Sequence, residues 1–152
     1  MKSLQIMIVV LTMTFGTLFA QAQENLFFSK TLQGSFEEVT QTVKSALKEQ
    51  GFGVVTEIDM DVTLKEKLPE ADLMPYKILG VCNPSYAYKT IQLEENIGLF
   101  LPCKAIVKDI GNGEIEVAIV NPVALMDMLD NPELVSVAKG VSEKFKTALS
   151  NM

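Results

Sequence analysis

The sequence predicts an α+β fold, a two-layer sandwich with helices packed mainly on one face of a mixed or antiparallel sheet of about five strands. Strand-like and helical segments follow one another in the order β-α-β-α-β-α-β-β-α-α. The turn Gly111-Asn112-Gly113 indicates that the last two strands form an antiparallel hairpin. Three Asn-Pro pairs indicate helix starts between the strands.

The first half of the domain is predicted to contain two strands and two helices. A strand at 26–32 precedes the capping box Ser35-Phe36-Glu37-Glu38, and apolar residues at helical spacing then run to Gly51. A second strand at 52–60 precedes a short helix at 62–68. Alternation in this strand places five residues on one, mostly apolar face: Phe52, Val54, Thr56, Ile58 and Met60.

The second half is predicted to contain three strands and three helices. The strands lie at 76–82, 97–110 and 114–120. Asn is a favourable N-cap and Pro at the first helical position loses no hydrogen bond, so each Asn-Pro pair starts a helix. These helices are expected at 84–94, 124–129 and 132–150.

The first 22 residues have the pattern of a secretory signal peptide. A basic start at Lys2 precedes an apolar run at 4–19 and the small-residue pattern Ala20-Gln21-Ala22. An uncleaved anchor is the alternative, but the run is shorter than the roughly 20 residues that span a membrane. We therefore expect an exported protein, periplasmic or secreted, cleaved after Ala22, with a single domain at 23–152 and no membrane association afterwards.

The composition excludes several classes of function. The chain has no His, Arg or Trp, and removal of Lys2 leaves 12 lysines against 19 acidic residues, a formal net charge of −7. An acidic surface disfavours nucleic acid, because affinity for phosphate backbones comes largely from Lys and Arg. Without His, the Ser-His and Cys-His arrangements of nucleophilic catalysis are absent.

The two cysteines, Cys82 and Cys103, are the most distinctive chemistry in the chain. Cys82 precedes a predicted helix start, where the helix dipole favours a thiolate. Cys103 follows Pro102, a residue that belongs at an edge or bulge of a sheet, and alternation favours burial of the thiol. Buried free thiols, a disulfide formed after export, and a redox, covalent or metal-linked role all stay open.

Further candidate residues have simpler interpretations that we favour. Tyr76 and Lys77 could line a pocket near Asn83, although packing and solvation explain them as well. Glu57 and Asp59 share one face of a strand, and with Asp61 they form a weak candidate site for a hard cation. A solvated strand face is the more ordinary explanation.

Metal binding by the cysteines is disfavoured because thiolates usually bind zinc or copper together with His, and the chain contains no His. The methionines do not form a copper-handling tract. Met126 and Met128 are predicted to pack in a core or a dimer contact.

Three sequence blocks resemble a known family. Residues 51–59 (GFGVVTEID), 75–84 (PYKILGVCNP) and 97–103 (IGLFLPC) are similar, in order and spacing, to the motifs of the family catalogued as domain of unknown function 302. The resemblance extends over nearly all of the predicted mature chain. It implies a compact α/β domain and a homodimer, with no established activity and no catalytic residues to transfer.

These observations favour a binding module for a small ligand or a partner over an enzyme. The site is expected at the strand-to-helix junction, and its candidate residues are Cys82, Asn83, Cys103, Tyr76 and Lys77. The alternative is a thiol-dependent enzyme or a metal-binding protein that uses both cysteines. No cofactor is assigned.

Overall fold

Residues 26–152, which the computed structural model describes, contain a five-stranded sheet with the order β1-β5-β4-β3-β2. All neighbouring strands are antiparallel. The strands are β1 (Phe27–Gln33), β2 (Gly53–Asp59), β3 (Tyr76–Cys82), β4 (Cys103–Gly111) and β5 (Glu114–Val120). The α+β prediction and its antiparallel variant are confirmed. The signal peptide predicted at 1–22 lies outside the described residues.

Three of the five helices begin where the sequence predicts, and the other two begin two residues before the predicted positions 62 and 124. The helices are α1 (Phe36–Glu49), α2 (Met60–Lys67), α3 (Pro84–Leu93), α4 (Pro122–Met126) and α5 (Pro132–Ser150), with short 3₁₀ helices at Glu95–Phe100 and Asp127–Leu129. The Ser35 capping box is present, and the Asn of each Asn-Pro pair caps its helix through its side-chain oxygen. Within residues 26–152, no helix combines the length and apolarity needed to cross a bilayer.

The main core lies between the sheet and the helices α1 and α5, which cover one face of it. Phe145 of α5 is fully buried, and its ring centroid lies 4.7 Å from that of Phe52. Burial of a Phe side chain of this kind stabilises a fold by about 1.5–3 kcal/mol. The opposite face of the sheet, called here the open face, points away from α1 and α5.

A second, smaller core cluster lies at one end of the molecule. Its buried members are Ile97, Met126, Leu134 and Ala138, which come from the first 3₁₀ helix, α4 and α5. This cluster and the main core meet near the end of β3 and the start of β4, so side chains from both border the same space.

The predicted strand at 97–110 is wrong in its first part. Glu95–Phe100 form a 3₁₀ helix, and β4 starts only at Cys103, after a cis Leu101–Pro102 bond. Pro102 has no amide hydrogen to extend the ladder, and Ile97 is buried in the second cluster instead. Pro102, which was expected at an edge or a bulge, lies just before β4, and β4 itself is not an edge strand because it pairs on both sides.

The five residues predicted to share one face of β2 do not all do so, because the strand contains a β-bulge. The register shifts between Val54 and Thr56, so these two residues lie on opposite faces. Val54 packs against the main core, whereas Ile58 stands on the open face with 41% of its surface exposed. Period-two alternation in the sequence gives no sign of the extra residue.

Candidate functional site

A mainly apolar cavity of about 50 Å³ lies where the two core clusters meet. It is bounded by the end of β3, the start of β4 and helices α3, α4 and α5. Its lining includes the residues that the following argument uses: Cys82, Asn83, Tyr86, Thr90, Cys103 and Met126. No Asp, Glu or Lys contributes to the lining. The cavity lies at the strand-to-helix junction that contains Cys82 and Asn83.

The backbone register places the two cysteines beside each other, but on opposite faces of the sheet. Val81 is paired with Cys103 across β3 and β4, so Cys103 shares the core face with Val81, whereas Cys82, the next residue of β3, projects to the other face. At strand spacing the two cysteine Cα atoms are about 6 Å apart. Within the described structure both cysteines are free and partly buried. Of the predicted alternatives, the structure shows unbridged thiols.

Cys103 is an inert thiol at neutral pH. Burial raises its pKa to about 11, and a charge on the nearby Cys82 acts in the same direction, whereas Lys104 acts weakly in the opposite one. A thiolate is the nucleophilic form of cysteine, so a thiol that keeps its proton to this pH does not attack substrates by itself. The cause is desolvation of the charged form in apolar surroundings.

Both polar atoms of the Asn83 side-chain amide make hydrogen bonds that hold the fold together. Its oxygen accepts hydrogen bonds from the backbone N–H groups of Ser85 (3.1 Å) and Tyr86 (3.3 Å), and its nitrogen donates to the carbonyl oxygen of Gly51 at 2.9 Å. Asn83 thus joins the start of α3 to the end of α1. It borders the cavity, but its polar atoms already have partners.

Helices α3 and α5 approach each other closely beside the cavity. A Cβ atom at Gly140 would lie 3.0 Å from the hydroxyl oxygen of Tyr86, so glycine leaves the space that this tyrosine occupies. Thr90, one turn further along α3, donates its hydroxyl hydrogen to the carbonyl oxygen of Ala87 at 2.9 Å. The Thr90 hydroxyl, which α3 contributes to the cavity wall, is therefore already used in a hydrogen bond within the helix.

Sequence reasoning did not assign Tyr86, Thr90 or Met126 to the site. Met126 was predicted as a packing residue, and it is indeed 94% buried, but it also borders the cavity that both cysteines line. Helical spacing within α4 indicates which residues are apolar, yet it carries no information about which strand ends face them. Only the tertiary arrangement brings Met126 to the cysteines.

Tyr76 and Lys77 are not part of this site, which corrects the prediction that they line a pocket near Asn83. They lie at the opposite end of β3, about 20 Å from Cys82 at strand spacing. Lys77 instead pairs with Asp59 at 3.0 Å and contacts Glu57 at 3.9 Å. Its hydrogen bond to Asp59 raises the pKa of Lys77 above its usual value, against the effect of burial.

Glu57 and Asp59 share a face of β2, as predicted, but they are neutralised by lysines. Lys44 of α1 lies 2.7 Å from Glu57, and Lys77 bridges the two carboxylates. Within residues 26–152 there is no group of three or more His, Cys, Asp or Glu side chains arranged to hold a metal ion. Asp61 points elsewhere, because its carboxylate accepts a hydrogen bond from the backbone N–H of Tyr76 at 3.3 Å.

Comparison with known proteins supports the resemblance found in the sequence blocks. The family model described as "Domain of unknown function DUF302" matches residues 28–152. The chain is also similar to a solved structure, that of an uncharacterized conserved DUF302 protein from Bacillus stearothermophilus, with 27% identity and a TM-score of 0.77. The similarity covers 83% of this chain and 97% of the other. No curated protein matches. The chain therefore belongs to the DUF302 family.

Proposed function

We propose that this protein is a binding module for a very small ligand, which it holds in the cavity between the β3–β4 end and helices α3, α4 and α5. The observation that carries the proposal is the cavity itself, which is mainly apolar and bordered by both cysteines. Deeply placed apolar cavities with a few polar groups are the usual form of a ligand site.

The size of the cavity limits the ligand. It encloses about 50 Å³, whereas an apolar cavity of about 150 Å³ accepts benzene and pockets for drug-sized molecules measure about 300–1,000 Å³. A ligand of a few atoms fits this volume. The absence of charged side chains from the lining disfavours free carboxylates and phosphates, which would lose their hydration without an ionic partner.

The rival function, a thiol-dependent enzyme, has less support. Cys103 keeps its proton at neutral pH because of burial, and the chain contains no His to act as a base. A resolving thiol with so high a pKa would exchange slowly. The surroundings of the cysteines therefore favour a ligand contact over a nucleophilic role.

We also propose that two copies associate through the open face of the sheet. Register places Ile58, Ile78, Ile106 and Ala118 side by side across four strands on that face. A continuous apolar row on an uncovered sheet face is typical of an interaction surface.

Light scattering after size exclusion should give the mass of a dimer, and Ile106→Glu should give a monomer. Leu99→Glu, at a site 87% exposed on another element, is the matched control. A monomeric wild type contradicts this pairing.

Xenon under pressure provides a test of the cavity, because xenon enters small apolar cavities without specific polar contacts. Methyl NMR spectra of the reduced protein should show xenon-induced shifts confined to residues around the cavity. Ala87→Leu extends a side chain from the cavity wall and should abolish these shifts. Lys89→Leu adds the same side chain at an exposed position on the same helix, outside the lining, and should leave them intact. Equal responses in wild type and Ala87→Leu would refute the site.

A further inference from the structure

The segment that joins β2 to β3, residues 60–75 and called here the arm, exposes apolar side chains without a core to pack on. It consists of α2 and the loop 68–75, and no residue of the arm is buried. About half of the surface is exposed for each of four apolar residues: Val62, Leu68, Leu73 and Met74. So much apolar surface on one segment is typical of a part that packs on another molecule.

The base of the arm is fixed to the sheet. The carboxylate of Asp61 accepts a hydrogen bond from the backbone N–H of Tyr76 at 3.3 Å, which joins the start of α2 to the start of β3. The backbone N–H of Asp109, on β4, donates to the carbonyl oxygen of Pro75 at 2.9 Å. These bonds determine where the arm leaves the sheet, while its apolar side chains stay in water.

An apolar groove lies on the open face, on the other half of the sheet. It encloses about 400 Å³ over β4, β5 and the start of β1. Its apolar surface includes Phe27, Ile106, Ala118 and Val120, and no residue of the arm lines it. Because an apolar cavity of about 150 Å³ accepts benzene, this groove has room for at least two apolar side chains.

We propose that the groove of each copy holds the arm of a second copy of this chain, so that two copies exchange arms across their open faces. The loop 68–75 lies in the groove, with Leu73 and Met74 on its apolar surface. This exchange rests on the proposed association through the open face, and it names the segment that covers the groove there.

The strand order makes such an exchange symmetric. In the order β1-β5-β4-β3-β2, the central strand is β4, the arm belongs to the β3–β2 half and most of the groove to the β1–β5 half. When two open faces pack about a twofold axis parallel to β4, each β3–β2 half lies over the partner's β1–β5 half. Both arms then meet a groove through the same contact, and the assembly closes as a dimer.

The levels along the strands also agree. Tyr76, where the arm rejoins the sheet, is paired with Lys108, and Lys108 with Glu116. A twofold axis parallel to the strands preserves this level, so the partner's arm reaches the groove beside Lys108. Lys104 lies about 13 Å further along β4, within reach of the loop 68–75, which spans up to about 26 Å when extended.

Charge complementarity favours the arm as the occupant. Its loop carries Glu70 and Asp72 and no basic residue, and neither carboxylate has an ion pair within the described part of the chain. In the groove, Lys108 pairs with Glu116 at 2.9 Å, whereas Lys104 has no acidic partner among the described residues and bonds a backbone carbonyl. Opposite charges left without partners in one copy pair across the contact, which fixes how the copies align.

A charge exchange tests the contact. Glu70→Lys with Asp72→Lys inverts the arm, and Lys104→Glu inverts the groove. Each variant alone should dimerise about 10-fold more weakly than the wild type, because like charges then meet in both contacts. A 1:1 mixture should favour the heterodimer, in which both contacts pair opposite charges. Native mass spectrometry measures the three dimers. Lys139→Glu, an exposed position on α5, is the control and should show neither effect.

Leu73→Glu tests the apolar part of the contact. The side chain is about half exposed in one copy, so the variant should keep the fold, which thermal unfolding verifies. It should weaken dimerisation on the order of 100-fold, because the new carboxylate would be buried in the groove. Leu99→Glu, exposed on the first 3₁₀ helix, should dimerise as the wild type does.

The arm exchange and the association of open faces fail separately. If Ile106→Glu dissociates a wild-type dimer but Leu73→Glu does not, the faces pair without the arm and the exchange is wrong. A mixture of charge variants without preference for the heterodimer also overturns it, because arm and groove then do not meet. A monomeric wild type refutes the association itself and leaves the groove to another occupant.

Discussion

The side-chain amide of Asn83 donates a hydrogen bond of 2.9 Å to the carbonyl oxygen of Gly51, 32 residues earlier in the chain. Gly51 lies just past the end of α1 with φ +84°, where a glycine is favoured. Its Cα faces Asn83 so closely that a Cβ there would lie 3.0 Å from the amide nitrogen. The end of one helix and the start of another are thus fixed together beside the cavity.

Asn83→Ala should destabilise the protein by about 2 kcal/mol, because it removes both the cap of α3 and the bond to Gly51. Asn131→Ala is the matched control, since Asn131 caps α5 through the same two kinds of bond to Glu133 and Leu134. It should lose only the capping contribution, about 1 kcal/mol. Urea unfolding measures both. Equal losses would show that the bond to Gly51 contributes nothing.

Gly80→Ala should destabilise the fold by about 1–3 kcal/mol through overpacking. A Cβ at position 80 would collide with the hydroxyl of Thr56 and lie 2.8 Å from Cγ of Pro102, the residue that precedes Cys103. Gly98→Ala is the control, because nothing lies within 4 Å of a Cβ there. Thermal unfolding should separate the two variants clearly. A Gly80→Ala protein as stable as Gly98→Ala would contradict the close packing on the open face.

The stability of the reduced protein should fall between pH 9 and pH 11. In the folded state burial holds the proton on Cys103 to about pH 11, whereas an unfolded thiol releases it near its ordinary pKa of 9.0. Unfolding therefore releases a proton in this window, and rising pH favours the unfolded chain. The loss amounts to at most about 3 kcal/mol. Below pH 9 both states hold the proton and this contribution is constant.

Cys103→Ala isolates that contribution. In urea unfolding from pH 8 to pH 11, the variant should show a shallower decline than the wild type. Lys77, whose pKa is raised by its hydrogen bond to Asp59, should still destabilise both proteins as the pH rises past about 10.5. Parallel declines in the two proteins would mean that the Cys103 thiol is not buried as the structure has it.

Expression of the full chain in a bacterium should yield an exported protein whose first residue is Gln23, because Ala20-Gln21-Ala22 fits a signal-peptidase site. N-terminal sequencing of the exported fraction provides the measurement. Ala22→Arg should accumulate the uncleaved precursor, since that position requires a small residue. A protein that starts at Met1 and stays in the cytoplasm would refute the prediction of export.

Much of the fold could be predicted because its signals are local. The Ser35 capping box, the three Asn-Pro pairs and the Gly111-Asn112-Gly113 turn each depend on a few neighbouring residues, and the structure has all of them. The β-bulge at Val54–Thr56 and the 3₁₀ helix at Glu95–Phe100 were missed. Both depend on how a segment meets distant partners, and hydrophobic periodicity does not report this.

The sequence alone determined the α+β class, the helix starts, the family resemblance and the importance of the two cysteines, because composition and short-range hydrogen bonding carry that information. Only the tertiary structure decided which residues share a site. It placed Tyr76 and Lys77 at the far end of β3, paired Glu57 with lysines, and brought Met126 to the cavity of Cys82 and Cys103. Strand order and helix packing decide such meetings, and they arise from contacts between residues far apart in the chain.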